Sequence, residues 1–182
     1  SLELDVYFSL LHSIVSQQLS TKVADIIWGR FIDLFANRYP KAEKLLQMEH
    51  AQLRAVGLSN NKAKYVLNVA EFSLHHHMDF EFLQSKTDEE IISYLTQIKG
   101  VGRWTAEMIL MFPMDRPNII PVGDLGIQKA IQKAYGLSLE KKELKTKMLE
   151  ISGNKATSLL TIARERFAFC SVVLPCIIWA NT

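Results

Sequence analysis

The sequence predicts an all-α fold. Apolar residues recur every three or four positions along most of its 182 residues, as expected of helices that each bury one face. We find no stretch of alternating apolar and polar residues long enough to predict a strand with confidence. Capping residues, glycines and prolines mark where helices begin and end. Together these observations predict about ten helices.

The first two predicted helices form a pair. Apolar positions between Val6 and Val15 indicate a helix that ends near Gln17 and Gln18. Ser20 or Thr21 then caps a second helix that reaches about residue 37, because apolar side chains continue at helical spacing to that point.

Two short helices and one long helix follow. The short ones are predicted at about 42–48 and 50–56. The segment 57–61, with the sequence Gly-Leu-Ser-Asn-Asn, is typical of a turn. A long helix is then predicted from apolar residues at helical spacing, Ala63, Val66, Leu67, Ala70 and Leu74.

A helix, a hairpin and a second helix are predicted near the middle of the chain. Thr87 and Glu90 form a capping box for a helix that runs to about Leu95. Two glycines interrupt the pattern at 100–102, and a further helix is predicted at 103–112.

The last third of the chain begins with a loop bracketed by prolines. Asp124 follows this loop and opens a predicted helix at Leu125–Tyr135, which Gly136 ends. Further helices are predicted at about 140–151 and from about 155 onward.

Composition limits the class of protein. The formal net charge is only +2, so charge alone does not identify a nucleic-acid binder. The chain has two cysteines, Cys170 and Cys176, without CxxC spacing, which argues against a disulfide framework, a zinc site or a four-cysteine iron–sulfur cluster. A reducing, intracellular location is therefore expected.

The termini and the longest apolar run bear on location and completeness. The run at 167–180 contains Pro175 and is too short to cross a bilayer, and no signal peptide is visible, so we expect a soluble protein. The sequence begins with Ser1 rather than Met, and helical spacing starts almost at once. We therefore expect that N-terminal material is missing.

The glycine turn at 100–102 is a candidate phosphate site. Glycine permits a tight turn, and the first amides of the next helix point outward, where they can bind an anion. Flanking basic residues can also reach phosphate. An ordinary connection between two antiparallel helices is the alternative. The predicted DNA contacts in and beside this turn are Lys99, Gly100, Val101, Gly102, Arg103 and Thr105.

The same turn could hold a monovalent cation. Backbone carbonyls of Thr96, Ile98 and Val101 are the candidate ligands for Na⁺ or K⁺, although the sequence supplies no cluster of metal-binding side chains there. Three consecutive histidines at 75–77 point in different directions on a helix, and we assign them no chemistry. No cofactor is expected to be required.

Asp124 is the candidate catalytic carboxylate, twenty residues after Trp104. Asp is also a preferred N-cap, and capping alone would explain its position. The two roles are compatible, because the start of a helix stabilises an anion, and an anion can stabilise a positively charged transition state. These residues suggest an enzyme that excises bases from DNA.

Two loops carry residues suited to base flipping. An enzyme that extrudes a base fills the vacated stack with an apolar or amide side chain. We expect Leu58 to be exposed at the tip of its turn and to act as this wedge, with Gln17 and Gln18 beside it and Lys62 as a further DNA contact. A packed leucine and a solvated helix end are the alternatives.

Together these segments resemble the helix-hairpin-helix (HhH-GPD) DNA glycosylase superfamily, most closely its 3-methyladenine DNA glycosylase II branch. The resemblance covers nearly the whole chain to about Leu137. It rests on four segments, Ser-Ile-Val-Ser-Gln-Gln-Leu-Ser at 13–20, Gly-Leu-Ser at 57–59 with Lys-Ala-Lys at 62–64, 98–106, and Pro-Val-Gly-Asp-Leu-Gly-Ile at 121–127.

The resemblance implies two helical subdomains that flank a DNA-binding cleft. One spans about 21–117 with the hairpin at 96–106, and the other combines 1–20 with 118–182. It further implies that Asp124 is the catalytic aspartate and that Leu58 is the wedge. Trp104, Met108 and Leu125 would line the base pocket.

The implied function is a monofunctional glycosylase of base excision repair. It would act as a monomer on double-stranded DNA, flip a damaged nucleotide and hydrolyse the N-glycosidic bond of an alkylated purine such as 3-methyladenine. A non-catalytic helix-hairpin-helix DNA-binding module and a glycosylase for another lesion class remain alternatives. A bifunctional lyase is disfavoured, because relatives of that type carry a lysine where this chain has Trp104.

Two positions depart from the family pattern. Gly123 stands where many relatives carry a second Asp, and the segment 156–161 lacks the family's Trp-x-Pro-aromatic-Arg-Ser stretch. Either the C-terminal segment is divergent or the pocket wall is built differently.

Overall fold

The computed structural model describes residues 5–116, 119–136, 143–144, 146–148 and 150. Within these residues every regular element is helical, which confirms the predicted all-α fold. The α-helices are α1 (Val6–Ser16), α2 (Thr21–Ile32), α3 (Ala42–Leu46), α4 (His50–Ala55), α5 (Asn60–His75), α6 (Phe80–Gln84), α7 (Asp88–Leu95), α8 (Arg103–Met111) and α9 (Leu125–Tyr135), with a 3₁₀ turn at Ala36–Arg38.

Helix α1 lies at the centre of the fold. All of its residues are buried, and it packs against α2, α5 and α8. Its start is set by Asp5, whose Oδ1 accepts a hydrogen bond from the Phe8 amide at 2.9 Å and whose Oδ2 accepts one from the Tyr39 hydroxyl at 2.6 Å. A helix that is buried on every side has little freedom to shift, so the loop after Ser16 begins from a fixed point.

Two local features differ from the sequence prediction. Helix α2 ends at Ile32 rather than near residue 37, and Asn37 and Arg38 adopt the left-handed conformation with φ of 57° and 55°, which no right-handed helix can include. The short helix α6 was not predicted. Asp79 caps it by accepting from the Phe82 amide at 2.8 Å, and this Asp is the signal that could have revealed it.

The predicted helix, hairpin and helix are present as α7, a glycine turn and α8. The capping box at the start of α7 is confirmed, since the Thr87 amide donates to Glu90 at 2.8 Å and the Glu90 amide donates to the Thr87 hydroxyl at 3.4 Å. The two helices pack against each other, which places the turn at one end of the pair.

Helix α9 follows the prediction at both ends. Asp124 is its N-cap, and Gly136 ends it with a left-handed φ of 62°. Of the helix predicted at 140–151, the described residues are helical. The helix predicted from 155, the two cysteines and the divergent stretch at 156–161 lie outside the described residues. The division into two subdomains stays a prediction.

None of the described helices is long and apolar enough to span a membrane.

Candidate functional site

A direct hydrogen bond joins Trp104 to Asp124. The indole Nε1 of Trp104 donates to Oδ2 of Asp124 at 2.9 Å, and both residues are partly exposed. Trp104 lies in the first turn of α8 and Asp124 at the start of α9, so two helix starts meet at this pair. Trp104 and Asp124 were predicted as site residues for separate reasons, and the hydrogen bond between them was not predicted.

The second carboxylate oxygen of Asp124 caps α9. Oδ1 accepts from the Ile127 amide at 2.9 Å, as the N-cap interpretation predicts. One oxygen therefore holds the helix and the other faces the indole. With both oxygens engaged and the positive end of the α9 dipole behind it, the carboxylate is held in one orientation as a localised negative charge.

The glycine turn is locked against α5. Gly100 has a φ of +107°, and a Cβ built on it would lie 2.2 Å from Cγ of Tyr65, so this position admits only glycine. The carbonyl of Lys99 accepts from Asn68 Nδ2 at 2.9 Å, and the Val101 amide donates to the Ile98 carbonyl at 2.9 Å. The turn is thus a rigid element rather than a flexible link.

The start of α8 is open on the side of Gly102. This glycine is exposed, it is the N-cap of α8, and a Cβ placed on it would meet no atom within 4 Å. Because a glycine cap has no side chain, none covers the first amides of the helix from this residue. Lys99 is exposed beside the turn. This geometry suits an approaching phosphate.

Arg103 is paired with two carboxylates. Its Nη2 donates to Oε1 of Glu89 at 2.6 Å, and its Nε donates to Oε1 of Glu107 at 3.0 Å. Burial raises the pKa of Glu107, and the Arg103 guanidinium opposes that shift. The i,i+4 spacing of Arg103 and Glu107 is a signal that the sequence interpretation missed. The predicted phosphate contact of Arg103 therefore competes with these ion pairs.

Thr105 does not lie at the surface. Thr105 is only 3% exposed, and its Oγ1 accepts a hydrogen bond from Nε2 of Gln17 at 3.1 Å. The predicted DNA contact of Thr105 stays a prediction, and its side chain is turned away from solvent. The reason is the helical register, since Thr105 follows Trp104 on α8 and faces the buried end of α1.

Leu58 is also buried, with 1% exposure, and the expectation of an exposed wedge at the tip of the turn is wrong. Leu58 immediately precedes Ser59, the N-cap of α5. An apolar residue in that place commonly packs on the fourth helical residue, here Ala63, which is fully buried as well. This hydrophobic-staple pattern could have predicted the burial.

The predicted base-pocket residues have different surroundings. Trp104 is partly exposed, whereas Met108, one helical turn later, is 1% exposed and belongs to the core. That Met108 lines the base pocket stays a prediction. The side chain of Leu125 lies outside the described residues.

Lys62 faces inward. Its Nζ donates to the carbonyl of Val15 at 2.8 Å and to that of Gln17 at 2.6 Å, and burial lowers its pKa. Two of its three N–H donors thus stabilise the end of α1, and the predicted DNA contact by Lys62 finds no support in this geometry. Gln18, in contrast, is exposed and has a left-handed φ of 58°.

The predicted cation site stays a prediction. The Ile98 carbonyl already accepts from the Val101 amide, which leaves one lone pair for an ion. Within the described residues no group of three His, Cys, Asp or Glu side chains could hold a metal ion.

The histidine run at 75–77 includes one ring contact. The His76 ring stacks on the Phe72 ring with the two ring centroids 4.1 Å apart.

Comparison with known proteins identifies a family and close relatives. The family model described as "HhH-GPD superfamily base excision DNA repair protein" matches residues 11–154. The chain is 31% identical over 157 residues to a putative DNA-3-methyladenine glycosylase of Bacillus subtilis, a match that covers 83% of this chain and 54% of that protein. It is 35% identical over 133 residues to DNA-3-methyladenine glycosylase 1 of Schizosaccharomyces pombe, covering 72% and 58%.

A solved structure has the same architecture. The 3-methyladenine DNA glycosylase of S. pombe in complex with abasic DNA superposes with a TM-score of 0.74 at 32% identity, covering 85% of this chain and 78% of that one. The chain spans between about half and three-fifths of the length of the two curated relatives.

Proposed function

The chain belongs to the HhH-GPD superfamily of base excision DNA repair proteins, and on this premise we propose that it is a monofunctional DNA glycosylase. Its substrates would be alkylated purines such as 3-methyladenine in double-stranded DNA. The observation that carries the proposal is the 2.9 Å bond between Trp104 and Asp124, because it places an oriented carboxylate beside a partly exposed aromatic ring.

The reaction is hydrolysis of the N-glycosidic bond of a flipped nucleotide. As the bond breaks, positive charge develops on the deoxyribose, and the Asp124 carboxylate stabilises that charge electrostatically. Water then adds to the sugar and loses a proton. An alkylated purine such as 3-methyladenine already carries positive charge, so it departs as a neutral base without a strong general acid.

Trp104 supplies the base-binding surface. Its N–H is used by Asp124, which orients the ring, and the partly exposed ring would stack on the flipped base. Stacking and cation–π attraction on a cationic purine contribute about 0.5–2 kcal/mol. An unmodified purine lacks the cation–π component, so the same surface favours alkylated bases.

The hairpin binds the DNA backbone in this proposal. The open start of α8 at Gly102 and the exposed Lys99 would contact phosphate, while the locked Gly100 keeps the turn in place. A monovalent cation on the hairpin carbonyls would add rigidity without taking part in bond cleavage.

Gln18 is the residue we propose to fill the vacated base stack. Leu58 is buried, whereas Gln18 is exposed in the loop beside α8, close in sequence to the Gln17 side chain that bonds to Thr105. An amide side chain can both occupy the gap and hydrogen-bond to the unpaired base.

The cellular setting follows from the substrate. A protein that repairs DNA acts where the DNA is, so we propose an intracellular monomer whose partner is a damaged duplex. The structure of the S. pombe relative with abasic DNA supports this choice of partner.

The test is an excision assay with methylated duplex DNA. We expect release of 3-methyladenine, measured by mass spectrometry, and strand breaks only after the abasic sites are treated with alkali. Binding of the duplex without any released base would favour a non-catalytic DNA-binding module. Breaks without alkali, together with borohydride trapping of protein on DNA, would indicate a lyase.

A further inference from the structure

We propose that Lys62 and Thr105 are positioning residues that hold the loop of Gln17, Gln18 and Leu19 against the DNA-binding hairpin, so that Gln18 is ready to enter the base stack. This inference rests on the proposed function. It assigns a task to two residues that the sequence interpretation placed on the DNA itself.

The loop is attached on two sides. From α5, Nζ of Lys62 reaches the carbonyls of Val15 at 2.8 Å and Gln17 at 2.6 Å. From α8, Oγ1 of Thr105 accepts from Nε2 of Gln17 at 3.1 Å. The backbone of Gln17 is thus tied to one helix and its side chain to another, which leaves the next residue little freedom.

Gln18 needs such support because its backbone conformation is unfavourable. A φ of 58° is uncommon for a residue other than glycine, because the side chain crowds the backbone there. Such conformations persist where the surroundings determine them. Here the surroundings are the two hydrogen bonds that hold Gln17. They leave the exposed Gln18 amide on a loop that is already ordered before DNA binds.

Lys62 is suited to this task by its chemistry. The last carbonyls of a helix have no partner within it, and the negative end of the helix dipole favours a cation. A partly buried ammonium group that donates to two of these carbonyls satisfies both requirements. A methionine of similar length would leave the carbonyls unpaired, whereas an arginine could still donate to both.

Thr105 links the loop to the reaction site. It follows Trp104 directly on α8, so a shift of the hairpin helix would move the Gln17 side chain with it. The residue that fills the stack and the ring that receives the base are therefore positioned by the same helix.

The test compares four variants with the unaltered protein. Lys62→Met and Thr105→Val remove the two attachments, Lys62→Arg keeps the first, and Lys64→Met removes an exposed lysine from the same helix as a matched control. The readouts are the fluorescence of 2-aminopurine in duplex DNA, which reports base extrusion, the single-turnover excision rate, and the Kd for undamaged duplex.

We expect Lys62→Met and Thr105→Val to lower the extrusion signal and the excision rate about tenfold to a hundredfold, because a displacement of about 1 Å in a positioning group has effects of this size. Their Kd for undamaged duplex should stay within about twofold of the unaltered protein, since no phosphate contact is removed. Lys62→Arg should recover most of the extrusion signal, and Lys64→Met should match the unaltered protein.

A double variant separates positioning from general destabilisation. If Lys62 acts through Gln18, the effect of Lys62→Met should be small in a Gln18→Ala background. Full additivity, or normal extrusion by both Lys62→Met and Thr105→Val, would overturn the inference. If the unaltered protein extrudes 2-aminopurine but releases no alkylated purine, the proposed function fails while the positioning role stands.

Discussion

Replacing Asp124 with Asn tests the chemical role of the carboxylate against its structural role. Asn is also a good N-cap, so its amide oxygen can accept from the Ile127 amide as Oδ1 does now. Where Oδ2 stands, the variant places an NH₂ group opposite the indole N–H of Trp104, which is 2.9 Å away. Two donors then face each other, and the bond to Trp104 is lost.

The expected cost in stability is modest. A hydrogen bond to a charged acceptor contributes about 1.5–3 kcal/mol, and water offsets part of its loss here because both side chains are partly exposed. We expect the free energy of unfolding to fall by about 1–2 kcal/mol. The expected loss in excision rate is much larger, on the order of 10²–10³, as for other preorganised groups that stabilise transition-state charge.

Urea unfolding and single-turnover release of 3-methyladenine measure the two effects. Trp104→Phe is the matched control, since it removes the same hydrogen bond but keeps a ring and the carboxylate, and it should lose less rate than Asp124→Asn. If folded Asp124→Asn retains an excision rate within about tenfold of the unaltered protein, the electrostatic role assigned to this carboxylate is wrong.

Three further predictions concern the hairpin and the core. Gly100→Ala should lower the free energy of unfolding in urea titrations by at least about 1–3 kcal/mol, because the new Cβ would overlap the packed ring of Tyr65. Gly102→Ala, whose new Cβ would meet no atom within 4 Å, should leave stability nearly unchanged and weaken DNA binding. Equal stability of the two variants would contradict this prediction. Glu89→Gln should change the free energy of unfolding by less than about 1 kcal/mol, since the ion pair between Glu89 and Arg103 is exposed. The variant should bind undamaged duplex more tightly at low salt, because the Arg103 guanidinium becomes free to contact phosphate. An unchanged Kd would argue against a phosphate contact by Arg103. Burial lowers the pKa of His12 to about 4 from 6.5, so the unfolded chain binds the extra proton first as the pH falls between these values, and about 3 kcal/mol of stability should be lost by pH 4. His12→Phe should remove that component, and an identical pH profile in the variant would refute the assignment.

Local signals in the sequence predicted most of the helices correctly. Capping boxes, N-cap residues and glycine stops act within a few residues, so they can be identified without knowing what packs against them. The capping box at Thr87 and the left-handed Gly136 are examples. Asp79 shows that the same kind of signal was present, and overlooked, at α6.

The sequence by itself determined the helical class, the glycine turn and the identity of the carboxylate that begins α9, because each depends on neighbours along the chain. Only the tertiary structure decided which side chains reach solvent and which become partners. Met108 is buried in the core and Lys62 turns inward, because residues distant in sequence cover the first and attract the second. The Trp104–Asp124 bond likewise exists because packing brings two helix starts together and leaves Nε1 of Trp104 2.9 Å from Oδ2 of Asp124, a contact that no local pattern encodes.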